Sequence, residues 1–238
     1  MEEKNGGKML KNIIFDWDNT LFPLRKYWVS AHRKIFLELL PFDKVTIDEF
    51  MEQYIIFDHE IWEQIHAGKI SVEFGREERV RLVLDYFNMP YKELFIKNFF
   101  DIYLTALIEE IEQDDHLVNR LLALSKQYSI AILSNGDSWE QREKIRQFGF
   151  NNLFPVYISD EIGLKKPDLE AFKFVLENEH FNAVETIMVG DHLGNDIIPA
   201  KKMRMTTIYI GPENHTVADY EFANLEACLD WLDLKTDL

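Results

Sequence analysis

Two acidic residues follow directly on the first apolar segment of the chain. The stretch IIFDWDNTLF (13–22) places Asp16 and Asp18 immediately after residues typical of a buried strand. An ionised carboxylate is costly to bury unless a cation or hydrogen bonds compensate. Carboxylates in such a position can bind a metal ion, act as nucleophiles or transfer protons. Asp16 and Asp18 are therefore the first candidates for catalytic residues.

Three further polar clusters follow later apolar segments. They are Ser134-Asn135-Gly136, Lys165-Lys166-Pro167, and Asp191 with Asp196. In an open α/β sheet, ligands bind outside the carboxyl ends of the strands. Since each cluster follows a predicted strand, the four clusters are expected to meet in one crevice.

The residue types indicate chemistry on phosphate. Several carboxylates without His or Cys favour a hard cation, Mg²⁺ before Zn²⁺. The hydroxyl of Ser134 and the backbone N–H groups of the Asn135-Gly136 turn could bind phosphoryl oxygens, and a lysine would balance their charge. Taken singly, each cluster has a common structural explanation as a turn, a helix cap or a solvated loop. Their joint occurrence, each at a strand end, favours a shared site.

The elements that would position these residues are typical of an α/β protein with a doubly wound parallel sheet. Five segments read as buried strands: 12–16, 129–134, 155–159, 186–191 and 206–211. Helical patterns cover 115–127, 139–148 and 168–178, between the later strands. Residues 23–112 show helical periodicity and no convincing strand, which predicts a helical domain inserted into a core made of 9–22 and 113–238.

Composition limits the partners. The net charge of −16 and the pI near 4.8 argue against a nucleic-acid polymer, which needs clustered Lys and Arg. No segment approaches the apolar length of a membrane span, and MEEKNGGK lacks the apolar region of a signal peptide. The single cysteine, Cys228, excludes an intramolecular disulfide. A cytoplasmic protein that binds a small molecule is expected.

The four clusters, in this order, resemble the motifs of the haloacid dehalogenase-like hydrolase superfamily. FDWDNTLF is similar to its first motif, hhhDxDxT, and ILSNG is similar to the second. GLKKPDLEAF resembles the third, whose Lys-Pro pairing selects Lys166 over Lys165. MVGDHLGNDI resembles the fourth, Gly-Asp-x4-Asp. The resemblance runs from about Met9 to the C-terminus and implies a Rossmann-type core with an inserted helical cap.

The resemblance also implies a role for each motif residue. Asp16 would be the nucleophile, forming an aspartyl-phosphate, and Asp18 the general acid and base. The implied phosphate-binding residues are Thr20, Ser134, Asn135, Gly136 and Lys166. A Mg²⁺ ion would be bound by the carboxylates of Asp16 and Asp191 and the backbone carbonyl of Asp18, with Asp196 in support.

Within this superfamily, several activities are open. Asp18 argues for phosphoryl transfer and against carbon–halogen cleavage, since true haloacid dehalogenases lack the second Asp of the first motif. The segments WEQIHAGKIS and ISDEIGLKKPDLEAF are similar to bacterial pyrimidine-nucleotide 5′-phosphatases. Trp62 and Lys69 would then face the nucleoside, or else belong to the core and surface of the cap.

Three alternatives to a nucleotide phosphatase also remain open. They are a sugar-phosphate phosphatase, a phosphomutase, and a non-catalytic phospho-acceptor or regulatory protein. A response-regulator receiver is disfavoured by the inserted domain and by the order of its acidic residues. The sequence leaves monomer or homodimer undetermined.

Overall fold

A computed structural model of the protein describes residues 9–212 and 216–234. The chain divides into two compact units. Among the described residues, the core unit contains those up to Leu24 and those from Ile111 onward, and the helical unit spans Arg25–Glu110. The boundaries expected from the sequence, 22/23 and 112/113, lie two residues from these.

The core unit is built on a parallel sheet. Its strands in the described part of the chain are β1 (Asn12–Phe15), β2 (Ser129–Ser134), β3 (Val156–Ile158), β4 (Thr186–Gly190), β5 (Thr206–Ile210) and β6 (Tyr220–Phe222). Their spatial order is β3-β2-β1-β4-β5-β6, and every neighbouring pair is parallel. All four residues of β1 are buried, with β2 on one side and β4 on the other. This order confirms the predicted α/β class and brings the carboxyl ends of β1, β2 and β4 together.

The helical unit consists of α1 (Leu24–Leu39), α2 (Ile47–His66), α3 (Val72–Tyr86) and α4 (Glu93–Glu110), and it contains no strand among its described residues. Helix α1 begins at Leu24, on the boundary between the units. Thr46 and Glu49 form a capping box at the start of α2, which satisfies backbone donors that a helix end leaves free. The predicted absence of strands from this region therefore agrees with the structure.

Aromatic side chains fill the interior of the helical unit. His32 is fully buried and lies against the rings of Tyr54 and Tyr103, with centroid distances of 5.0 and 4.2 Å. Trp28 stacks on Tyr54 at 5.5 Å and thus contributes to this interior. Of the two residues considered for nucleoside contact, Trp62 is 38% exposed and Lys69 is exposed.

Helices connect the strands of the core unit, and the last helix follows β6. They are α5 (Asp115–Leu124), α6 (Ser138–Gln147), α7 (Ser159–Ile162), α8 (Leu169–Asn178), α9 (Ile198–Lys202) and α10 (Leu225–Leu234), with a π-helical turn at Leu193–Ile197 before α9. Asp137 and Asp168 accept hydrogen bonds from the first turns of α6 and α8, so each helix begins directly after a loop of the predicted site. In the described residues, no helix is both long and apolar enough to cross a membrane.

Several elements of the core unit were missed from the sequence. Strand β6 is only three residues long and half-buried at the edge of the sheet, so it lacks the apolar run that marks the other strands. Helices α7, α9 and α10 and the π-helical turn were likewise not predicted. The ends of the five predicted strands are off by a residue or less.

Candidate active site

Asp16 is the first residue after β1. Its backbone N–H donates to the carbonyl of Val189 on β4 at 2.9 Å, so the strand pairing extends one residue beyond β1 itself. The residue is only 7% exposed. The sheet therefore fixes the position of this carboxylate and removes it from most of the solvent.

The turn after Asp16 is anchored by Trp17. The indole is fully buried, stacks on Phe22 at 5.8 Å and meets the edges of Phe148 and Phe150 at 6.0 and 5.3 Å. The carbonyl of Trp17 accepts hydrogen bonds from three backbone N–H groups of the turn, those of residues 20–22. Asn19 takes a φ of 62°, in the left-handed region that Asn tolerates better than most residues.

Thr20 closes this turn. It is buried, and its Oγ1 finds no hydrogen-bond partner in the described part of the chain. A buried hydroxyl without a partner is available to a ligand or to water. The proposed contact of Thr20 with a phosphate oxygen stays a prediction.

Lys166 joins two carboxylates from different parts of the sequence. Its Nζ donates to Oδ1 of Asp16 at 2.5 Å and to Oδ1 of Asp196 at 2.7 Å, and the residue is 3% exposed. The neighbouring Lys165 is exposed. Lys166, and not Lys165, is thus the lysine that lies in the site.

Asn135 holds the loop that carries Lys166. Its side-chain amide donates to the Lys166 carbonyl at 2.8 Å and accepts from the Lys166 N–H at 2.9 Å. Both ends of the amide are therefore used to position Lys166. The Asn135 side chain therefore serves the site indirectly, and the assignment of its backbone N–H to phosphate binding stays a prediction.

The carboxyl end of β4 supplies Asp191 and, through the π-helical turn, Asp196. One carboxylate oxygen from each of Asp16, Asp191 and Asp196 lies within 4.8 Å of the others. Asp196 is 1% exposed, and its Oδ2 accepts the His192 N–H at 3.0 Å. A Cβ on Gly190 would lie 2.5 Å from the Cβ and Oδ2 of Asp196, so only glycine permits this close packing.

The charges of these groups oppose one another. Burial raises the pKa of Asp16 to about 7, although Lys166 lowers it, and the Asp196 carboxylate adds to the rise. Burial and the charges of Asp16 and Asp196 raise the pKa of Asp191 to about 8. Burial alone would lower the pKa of Lys166, but Asp16 and Asp196 raise it overall, which keeps the ammonium charged. At Asp191 the two neighbouring carboxylates therefore outweigh the lysine, whereas at Asp16 Lys166 lowers the pKa more than Asp196 raises it.

Asp18 points to a different set of partners on α6. Lys144 Nζ donates to both carboxylate oxygens of Asp18 at 2.9 Å, and Gln141 Nε2 donates to Oδ2 at 2.7 Å. Lys144 is fully buried and Gln141 is 2% exposed. Sequence reasoning missed both residues. A signal existed, because 141, 144, 145 and 148 share one face of the helix, and Ile145 and Phe148 mark that face as the inner one.

The end of β2 holds the remaining predicted residues. Ser134 is 1% exposed, and its hydroxyl makes a long hydrogen bond of 3.3 Å to the Asn135 carbonyl. The N–H of Gly136 donates to Ser159 Oγ at 2.9 Å. That N–H therefore has a partner within the protein, and its assignment to phosphate binding stays a prediction. The role of Ser134 stays a prediction.

Comparison with known proteins extends over nearly the whole chain. The profile of the family described as haloacid dehalogenase-like hydrolase matches residues 13–210. A glyceraldehyde 3-phosphate phosphatase of Methanocaldococcus jannaschii is 28% identical over 240 residues, which cover 96% of this chain and 100% of that protein. The pyrimidine 5′-nucleotidase PynA of Streptococcus pneumoniae is 25% identical over 231 residues, which cover 94% and 95%.

Among solved structures, the HAD-hydrolase YfnB of Bacillus subtilis, bound to magnesium, has a TM-score of 0.77 at 23% identity. The match covers 95% of this chain and 100% of that one, and it shows the shared fold. The family profile spans all four motif positions, from the first strand to the end of β5. The chain belongs to the haloacid dehalogenase-like hydrolase family.

Proposed function

We propose that this protein is a magnesium-dependent phosphomonoester hydrolase that forms a covalent phosphoryl intermediate on Asp16. The observation that carries the proposal is the position of Asp16 at the end of β1, hydrogen-bonded to the Lys166 ammonium and with a carboxylate oxygen within 4.8 Å of oxygens of Asp191 and Asp196. A carboxylate held at a strand end by a buried cation is oriented for attack on phosphorus.

The residues present fit a hard divalent cation. Three carboxylate oxygens lie within 4.8 Å of one another, and the charges of Asp16 and Asp196 add to the rise that burial causes in the pKa of Asp191. Oxygen ligands of this kind suit Mg²⁺. Asp16 and Asp191, with the backbone carbonyl of Asp18, would hold the ion, and Asp196 would support them. When bound, the ion supplies positive charge that neutralises the phosphoryl oxygens.

The reaction proceeds in two steps. Asp16 attacks phosphorus, a P–O bond to the carboxylate forms, and the bond to the leaving oxygen breaks as Asp18 gives that oxygen a proton. Asp18 then takes a proton from water, which attacks the phosphoryl group and frees Asp16. Lys166 balances the charge of the transferring group, and Ser134 and Thr20 donate hydrogen bonds to its oxygens.

The substrate is a small phosphorylated metabolite in this proposal. Pyrimidine nucleoside 5′-monophosphates are the first candidates, because the relative from S. pneumoniae carries that activity in its name. A triose or other sugar phosphate is the second, because the relative from M. jannaschii is named for glyceraldehyde 3-phosphate. The acidic net charge and the lone buried Cys228 support a cytoplasmic enzyme that binds no nucleic-acid polymer.

The test is phosphate release from a panel of nucleoside monophosphates and sugar phosphates, with Mg²⁺ and with EDTA. Asp16→Asn should abolish release, and Asp43→Asn, at an exposed position, should leave it unchanged. Intact mass of Asp18→Asn with substrate should reveal one trapped phosphoryl group. Wild-type turnover in Asp16→Asn would refute the covalent mechanism. Transfer to a second sugar instead of to water would identify a mutase, and no reaction with any substrate would favour a phospho-acceptor protein.

A further inference from the structure

Asp18 is held by two residues of α6 for which the proposed reaction has no assigned role. Both of its carboxylate oxygens accept from Lys144, and Oδ2 also accepts from Gln141. The Asp18 side chain is 23% exposed. Three hydrogen bonds from one helix fix the orientation of this carboxylate while leaving part of it accessible.

Lys144 is an expensive residue to bury. It is fully inaccessible, and besides Asp18 its ammonium contacts Glu140 at 3.2 Å. A buried ion pair is often no more stabilising than apolar residues of similar volume, so stability alone is a poor explanation for it. A requirement for a fixed Asp18 carboxylate explains the pair better.

The end of β2 is shaped to admit the Gln141 side chain. Gly136 has a φ of +146°, and a Cβ there would lie 2.6 Å from Gln141 Nε2. The same Nε2 also donates to the Asn135 carbonyl at 2.8 Å. The glycine of the second motif therefore makes room for the Gln141 amide that reaches Asp18. Asn135 also bonds to Lys166 and so connects this amide with the other lysine of the site.

We propose that Lys144 and Gln141 are positioning residues that hold the Asp18 carboxylate where it exchanges a proton with the leaving oxygen and with water. This inference rests on the proposed phosphohydrolase function. Neither residue touches the substrate in this proposal. Lys144 acts through Asp18, and Gln141 acts through Asp18 while its amide also holds the Asn135 carbonyl.

Two readouts distinguish positioning from a general effect on the fold. The first is leaving-group dependence of kcat/KM, which reports on the steps up to phosphoryl transfer to Asp16. An alkyl phosphate needs a proton on its departing oxygen, whereas p-nitrophenyl phosphate departs readily without one. The second is a double-mutant cycle with Asp18→Asn. Substitution of a residue that acts through Asp18 should change the rate little once the Asp18 carboxylate has been removed.

The variants are Lys144→Met and, on the same helix, Arg142→Met as the matched control. Arg142 is partly exposed and pairs with Glu161. Lys144→Met should lower kcat/KM for an alkyl phosphate by about 100-fold, the low end of general acid–base effects, with KM little changed. Its effect on p-nitrophenyl phosphate should be at least tenfold smaller, roughly tenfold or less in total. In the Asp18→Asn background it should change the rate by less than about threefold, and Arg142→Met should match the wild type.

Several results would overturn the inference. They are an equal loss on both substrates, the same loss with and without Asp18, or a gain in kcat/KM on removal of Lys144. If Lys144→Met does not fold, Gln141→Met provides the same comparison with an expected loss of about tenfold on the alkyl phosphate. A wild-type enzyme inactive on both substrates would refute the proposed function, and this inference with it. Activity with equal losses would refute this inference alone.

Discussion

Removal of Lys166 should have a large effect on stability. Lys166→Met would leave the carboxylates of Asp16 and Asp196 buried, at 7% and 1% exposure, without their shared cation. Removing one partner of a buried ion pair typically costs about 3–5 kcal/mol. At about 2–4 °C per kcal/mol for a chain of this size, the melting temperature should fall by about 6–20 °C.

The assay is urea unfolding in EDTA, followed by circular dichroism and by hydrogen exchange in β1 and β4. Exchange is included because the chain has two units, and the loss should appear in the strands of the core unit. Lys165→Met is the matched control, since this adjacent lysine is exposed and should cost little. Magnesium should narrow the difference, because without the competing ammonium the variant should bind the cation more tightly, and a tenfold lower Kd returns about 1.4 kcal/mol at saturation.

A clear result would refute the reasoning. If Lys166→Met lost less than about 1 kcal/mol in EDTA, the ion pairs with Asp16 and Asp196 would not be the interactions that balance this site. An equal loss in Lys165→Met would mean that the loop, and not the buried ammonium, matters. Destabilisation confined to the helical unit would likewise contradict the assignment of the lost stability to the Lys166 ion pairs of the core unit.

Two further predictions concern packing and pH. Gly190→Ala should cost about 1–3 kcal/mol and reduce phosphate release, because its Cβ would collide with Asp196, which Lys166 holds in place; an unchanged melting temperature would contradict this. Burial, with the charge of Arg79, lowers the pKa of His32 well below 6.5. As the pH falls below about 6.5, the His32 imidazole is therefore protonated in the unfolded chain but not in the folded one. Stability should therefore decline from pH 6.5 towards 5 more steeply in the wild type than in His32→Phe, as measured by urea unfolding, and equal slopes would contradict it.

Much of the core unit could be predicted because burial leaves a strong pattern in the sequence. Strands β1, β2, β4 and β5 are apolar runs, and the polar residues that follow β1, β2 and β4 stand out against them. The doubly wound parallel sheet followed from the α/β alternation, whereas the order of its strands, which determines what meets at the carboxyl ends, was not predicted from the sequence. Edge strand β6, with the half-buried sequence YEF, gave no comparable signal.

The partners of Asp18 could not be predicted in the same way. Lys144 lies in the polar sequence SWEQREKIRQ, where a lysine ordinarily faces solvent. Its burial depends on the close approach of α6 to the turn after β1, which is a tertiary contact. The same holds for Asn135, whose side chain contacts the backbone of a residue 31 positions away. Motif spacing identifies residues that share a site, but it does not say which of them contact the ligand and which contact one another.

The two buried lysines explain why the first motif has two acids, Asp16 and Asp18, separated by one residue. Asp16 pairs with Lys166, which follows β3, and Asp18 pairs with Lys144 on α6. Each acid thus has a separate cation. In the proposed mechanism, this allows Asp16 to be oriented as the nucleophile while Asp18 acts as general acid and base. Two lysines nevertheless face five carboxylates, because Glu140, Asp191 and Asp196 adjoin these pairs. A phosphate ester entering this net negative site would be repelled unless a divalent cation offset the excess charge, and for that reason substrate binding itself, and not only turnover, should require the metal ion.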